Sequence, residues 1–219
     1  MSKGYDPKRR YRRLMIDAWL AFQGHLISRE IGPGHWLLQR PWKGKPGGWE
    51  WNMAAEIVVL QGKLLVSGDL YPVIFAYYGP YEDLSLTVDW MGKCRDFGYY
   101  VYQKATIGLR EVVEEYESDV ALFELDKMRE KRIAEIKEEM GEDIDPTEAI
   151  ETDEVVIGLE EAKNVAYQSH ESLVEFLQDN LCDYYDIEAF CDIGKVIAPR
   201  VFYAYAAVAR LSRLLDLER

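Results

Sequence analysis

The sequence predicts an α+β fold: an N-terminal helix, a small antiparallel β-meander and a mainly helical C-terminal half. Three observations carry that prediction. Apolar side chains recur at three- and four-residue spacing before Leu26 and again from Glu82 onward, the spacing of one buried helix face. Between them lie runs of β-branched and aromatic residues broken by the Gly-containing pairs Gln61-Gly62 and Gly68-Asp69. Connections that short exclude parallel crossovers, so the strands they join are antiparallel. The 219 residues, 48% hydrophobic and 13% aromatic, suffice for a buried core and exclude a disordered or fibrous chain. One domain is expected over 1–219, with its β-containing part over about 1–107 and its helical part over about 108–219.

The elements follow in order. Tyr11, Leu14, Met15, Ala18, Trp19 and Phe22 make Lys8–Leu26 an amphipathic helix. Lys8, Arg9, Arg10, Arg12 and Arg13 crowd its first turns, where positive charge is unfavourable. His35–Arg40 is short and extended, and Pro41-Trp42-Lys43-Gly44-Lys45-Pro46-Gly47-Gly48 is a loop. Trp49–Leu60, Lys63–Ser67 and Tyr71–Tyr78 read as strands. Helices are expected over Glu82–Cys94, over Leu109–Met140, over Thr152–Gln168 and over Ser172–Leu181, the last opened by a capping box from Ser172 to Glu175. The apolar stripe of Leu109–Met140 fades beyond Leu125, so its outer half is expected to project or to meet a partner. Gly141–Asp153 reads as an acidic linker, and Pro199 opens a closing helix through Leu217.

Charge is distributed unevenly. The chain has 26 basic and 39 acidic side chains, a net charge of −13, which argues against direct nucleic-acid binding. Residues 141–192 hold 16 carboxylates against the single Lys163. Three unclustered cysteines, Cys94, Cys182 and Cys191, suit reduced thiols in a cytoplasm. No apolar run approaches 18 residues and no charged-then-apolar leader is present, so the chain is expected neither to span a membrane nor to be secreted.

The candidate chemistry is sparse. Arg40, Trp42, Lys43 and Lys45 stand in a Gly-rich loop before Trp49, but the Gly-Lys-Ser/Thr of a P-loop is missing. Those residues with Asp69, an acid at a strand end, form one candidate ligand or nucleotide site; turn geometry is the plainer role for the loop and for Asp69. His170-Glu171 lacks the second His of a zinc-protease motif, and Cys182 and Cys191 are nine apart. The carboxylates between Asp183 and Asp192 do not follow a calcium loop. No Gly-x-Ser-x-Gly elbow occurs. No metal, cofactor or catalytic residue is therefore assigned. The acidic block is the strongest signal: Asp179, Asp183, Asp186 and Glu188, interleaved with Tyr184 and Tyr185, suit a basic protein partner as well as they suit plain solubility.

Two stretches resemble a family of bacteriophage and prophage proteins. Glu56–Phe75 is similar to that family's strand–turn–strand block, matching at Gly62, Leu65, Gly68, Asp69 and Phe75, and Tyr203–Asp216 is similar to its C-terminal aromatic and alanine-rich helix. Tyr71-Pro72 and the long acidic helical insertion depart from the pattern. The resemblance implies a viral accessory product acting in the host bacterial cytoplasm and brings no catalytic residues. The leading expectation is a protein that occludes the basic groove of a host nucleic-acid-handling or defence complex, such as CRISPR, without turnover. The alternatives are a small-ligand or nucleotide module, or enzyme, around Arg40–Trp49 and Asp69, and a virion or assembly component that self-associates as a homodimer or larger assembly.

Overall fold

The computed structural model describes residues 6–60, 62–69, 72–76, 114–141, 145–185 and 190–217. The helix expected over Glu82–Cys94 and the candidate residues Asp186 and Glu188 lie outside them. The architecture is α+β. Its order is α1 (Pro7–Phe22), β1 (Leu26–Gly32), β2 (His35–Pro41), β3 (Trp49–Leu60), β4 (Lys63–Gly68), β5 (Val73–Ala76), β6 (Glu114–Tyr116), α2 (Ser118–Met140), α3 (Thr147–Thr152), α4 (Glu154–Val165), α5 (His170–Leu181), β7 (Lys195–Ile197) and α6 (Pro199–Leu217). Strands β6 and β7 pair as a small separate sheet. The chain divides into two compact units: a sheet unit of residues 7–115 and 197–219, and a helical unit built on 116–196.

In the sheet unit, β1 to β5 form one antiparallel meander in chain order. Alternation puts Trp36 and Leu38, Ala55 and Ile57, Leu64 and Val66, and Val73 and Phe75 on one buried face, as a period of two requires. Cross-strand pairs Trp36↔Ile57, Ile57↔Val66 and Leu64↔Phe75 set the register. Ala18 and Phe22 of α1 and Val201, Phe202, Tyr205, Val208 and Leu211 of α6 close the same core. Tyr11 stacks on Phe202 with ring centroids 5.7 Å apart. The closing helix therefore belongs with the sheet, although its sequence position groups it with the other helices.

Several boundaries differ from the sequence reading. The first helix ends at Phe22 rather than Leu26, and Leu26–Gly32 is a strand the periodicity missed. Arg40 Nη2 donates to the Ala21 carbonyl at 2.8 Å and Arg210 Nε to the His25 carbonyl at 2.8 Å. Two cations thus satisfy carbonyls at the helix's negative end and just beyond it. The meander accordingly has five strands, one more than the four extended segments expected from the sequence.

In the helical unit, α2 begins at Ser118 and is preceded by a strand, so Tyr116 is not part of the helical stripe it fits in sequence. Its hydroxyl donates to the Ala166 carbonyl at 2.6 Å, and Glu117 N–H donates to Gly194 O at 2.9 Å. These long-range bonds fix an extended backbone where local spacing favours helix. The outer half of α2 does not project: Ile136 is buried and Arg132 is clamped to Asp153. The acidic linker contains the short helix α3, and α5 is capped by Ser169, whose hydroxyl accepts from Ser172 N–H at 3.1 Å, rather than by Ser172. Ala121, Leu125, Val155, Leu159, Leu173, Leu177 and Phe190 form this unit's own core.

Candidate functional site

The charge asymmetry of the sequence coincides with the division into units. Residues 116–196 carry 24 acidic and 7 basic side chains, net −17, and the rest of the chain 15 acidic and 19 basic, net +4. Within the helical unit most cations are used internally. Arg129 pairs with Glu160 at 3.2 Å, Lys163 with Asp126 at 2.6 Å and Glu160 at 2.7 Å, Lys131 with Glu135 at 3.6 Å, and Lys195 with Asp192 at 3.3 Å. Arg132 meets Asp153 with two nitrogens, at 2.8 Å from Nη2 and 3.2 Å from Nε. Asp153 also caps α4 by accepting from Val156 N–H at 2.9 Å. Burial raises its pKa, but the Arg132 fork and the cap outweigh burial and leave it below the ordinary carboxylate value.

Two helices of this unit, α4 and α5, present exposed carboxylates. Glu171, Glu175 and Asp179 follow one another at four-residue spacing along α5, all exposed, and Asp183 follows in the turn beyond. On α4, Glu154, Ile157 and Glu161 share an exposed face. Tyr184, 52% exposed, donates its hydroxyl to Glu154 Oε2 at 3.2 Å, tying the end of α5 to the start of α4. That bond to a carboxylate holds the phenol pKa above its ordinary value. Tyr185 is half-buried, its ring 5.9 Å from Phe190 and packed against the core. Asp179, Asp183 and Tyr184 thus lie at the surface, whereas Tyr185 chiefly anchors the turn from beneath.

The second candidate cluster does not assemble as one site. Arg40 is engaged with the end of α1. Asp69 Oδ2 accepts from Ala54 N–H at 3.1 Å, and Asp69 N–H donates to Ala54 O at 2.9 Å, so both groups hold the neighbouring strand rather than a turn of their own. Trp42, in contrast, joins Trp49, Glu50, Trp51 and Asn52 around an open depression of about 440 Å³. Lys43 and Lys45 sit on the adjoining loop but do not line it.

The depression is built by an irregular stretch of β3. Between the pairs Leu38↔Ala55 and Arg40↔Glu50, β2 advances two residues and β3 five. Residues 51–54 therefore bulge out of the ladder, and Met53 takes φ +62, a conformation that costs a non-glycine residue about 1–2 kcal/mol. Three groups from elsewhere pin the bulge: His25 Nε2 lies 3.1 Å from the Met53 carbonyl, and both Asp69 groups hold Ala54. His25 is fully buried. Burial lowers its pKa, opposed by the Met53 bond and reinforced by the charges of Arg40 and Arg210, so the ring is neutral and donates from Nε2. The signal missed in sequence was Trp51, two residues after Trp49 and hence on the same side of the strand until the bulge intervenes.

Among the described residues, no group of three or more His, Cys, Asp or Glu side chains is placed to hold a metal ion, and no helix is long and apolar enough to cross a membrane. No protein family, curated protein or solved structure matches the chain.

Proposed function

We propose that this protein is a bacteriophage accessory protein that binds a host nucleic-acid-handling or defence complex and occludes its basic groove without turnover, using the acidic face of the helical unit. The observation that carries the reading is the net charge of −17 gathered in one unit whose cations are largely spent on internal ion pairs. Like charges four residues apart on a helix each cost about 0.2–0.5 kcal/mol, so the row Glu171, Glu175, Asp179 is a liability to folding that a basic partner turns into attraction. Salt screens such a field beyond about 8–10 Å, so attraction acts mainly on the final approach and raises the association rate. Ile157 and Tyr184, exposed among the acids, supply the apolar contacts that charge alone does not.

The test is capture from bacterial lysate with wild-type protein and the triple variant Glu175→Lys, Asp179→Lys, Asp183→Lys. The expected result is a stoichiometric nucleic-acid-binding partner, released by 0.5 M salt, absent with the variant, and unable to bind its nucleic acid while captured. A partner that keeps its nucleic acid, or that the variant retains equally, refutes occlusion.

A further inference from the structure

The depression beside the Trp42–Gly48 loop holds large aromatic surface in water. Trp42 and Trp51 expose 50% and 72% of their surface. Two large aromatic faces left in water beside one another need an explanation that isolated apolar surface residues do not. The surrounding construction holds them there. Added Cβ atoms on Gly44 and Gly48 would each come to 3.2 Å from the Trp42 indole, so the ring packs closely on a loop kept thin by glycines. The loop is closed by Trp42 N–H to Gly48 O at 2.9 Å and by Gly48 N–H to Lys45 O at 2.9 Å. Trp51 and Asn52 are carried by the strained, externally pinned bulge described above. Strain fixed by surrounding groups is characteristic of sites that must present a side chain in one orientation.

Three ligand chemistries are open to aromatic surfaces with a few polar groups between them. A phosphate-bearing ligand needs cations in the lining, but the lining carries the carboxylate of Glu50 and neither Lys43 nor Lys45. A quaternary ammonium needs rings enclosing it on several sides, whereas Trp51 presents a mostly bare, open face. A neutral sugar ring matches what is there. Its apolar C–H face lies on an indole, and its equatorial hydroxyls donate to Glu50 and exchange hydrogen bonds with Asn52. We infer that the Trp42, Trp49, Trp51 depression of the sheet unit is a binding site for a neutral saccharide. The site lies in the sheet unit and the acidic carboxylates in the helical unit, so it stands or falls separately from them.

Native affinity electrophoresis tests it directly, since a protein of net charge −13 migrates cleanly toward the anode. Gels contain hydroxyethylcellulose, glycogen, galactomannan, dextran or glycol chitin, and the samples are wild type, Trp51→Ala and Glu50→Gln. Trp51 is so exposed that its removal leaves the fold intact, which a circular dichroism spectrum verifies. The expected result is retardation of the wild type by at least one polysaccharide, with apparent affinity about ten-fold weaker in Trp51→Ala. No retardation by any of the five, or equal retardation of Trp51→Ala, overturns the inference. Saturable quenching of tryptophan fluorescence by AMP or by tetramethylammonium, without any saccharide effect, overturns it in favour of a base or a cation.

Discussion

Gly68→Ala puts the pinned bulge under a direct test. Gly68 has φ +100, and a Cβ there would come to 2.4 Å from the Ala54 carbonyl oxygen and 3.1 Å from its carbon. Both are backbone atoms in the strand paired to Gly68 through Ala55, so no side-chain rotation relieves the clash. Relief requires β4 to part from β3, stretching the two bonds between Asp69 and Ala54 at 2.9 and 3.1 Å. Left-handed backbone costs an alanine about 1–2 kcal/mol, and two weakened hydrogen bonds cost about 1 kcal/mol each. The sum is a loss of about 3–4 kcal/mol. All six tryptophans lie outside 116–196, so urea unfolding followed by tryptophan fluorescence reads the sheet unit. With a slope of about 2 kcal/mol/M, the midpoint falls by about 1.5–2 M. A shift below about 0.3 M at unchanged slope refutes the claim that close backbone approach and positive φ make glycine mandatory there.

Two further predictions probe other parts of the molecule. Asp153→Ala removes the cap on Val156 and the partner of Arg132 together, so chemical denaturation followed by circular dichroism should show a loss of about 2–4 kcal/mol; a change under about 0.5 kcal/mol sinks that assignment. His25 has a folded pKa below its ordinary 6.5, so the unfolded chain takes up its proton first as pH falls. Its stabilising contribution is complete above about pH 7 and declines as pH drops through 6.5. Relief of the net negative charge acts in the opposite direction over the same range, so the readout is the difference between wild type and His25→Gln. Melting temperatures between pH 7.5 and 5.5 should converge toward those of the variant as pH falls; parallel curves contradict a buried neutral histidine.

Much of this protein is written in stretches a few residues long. Alternating apolar residues from Ala55 to Phe75, with turns at Gly62 and Gly68, specify the meander because period, turn chemistry and β-propensity agree locally. Pro199 and the apolar residues after it specify the last helix for the same reason. The gathering of carboxylates into 141–192 is likewise a sequence fact that needs no coordinates. Tertiary structure decided what depends on distant partners. Leu26–Gly32 became a strand because β2 offers its edge and because Arg40 and Arg210 satisfy the preceding helix end; its own residues alternate poorly across two register shifts. Tyr116 left the helical stripe for a strand because its hydroxyl reaches Ala166, fifty residues away. The bulge that presents Trp51 exists because His25 and Asp69, from opposite sides in sequence, bind the backbone of Met53 and Ala54. Local sequence sets each segment's periodicity and turns, whereas register, strain and the company a side chain keeps are set by hydrogen bonds and packing between segments that only folding brings together.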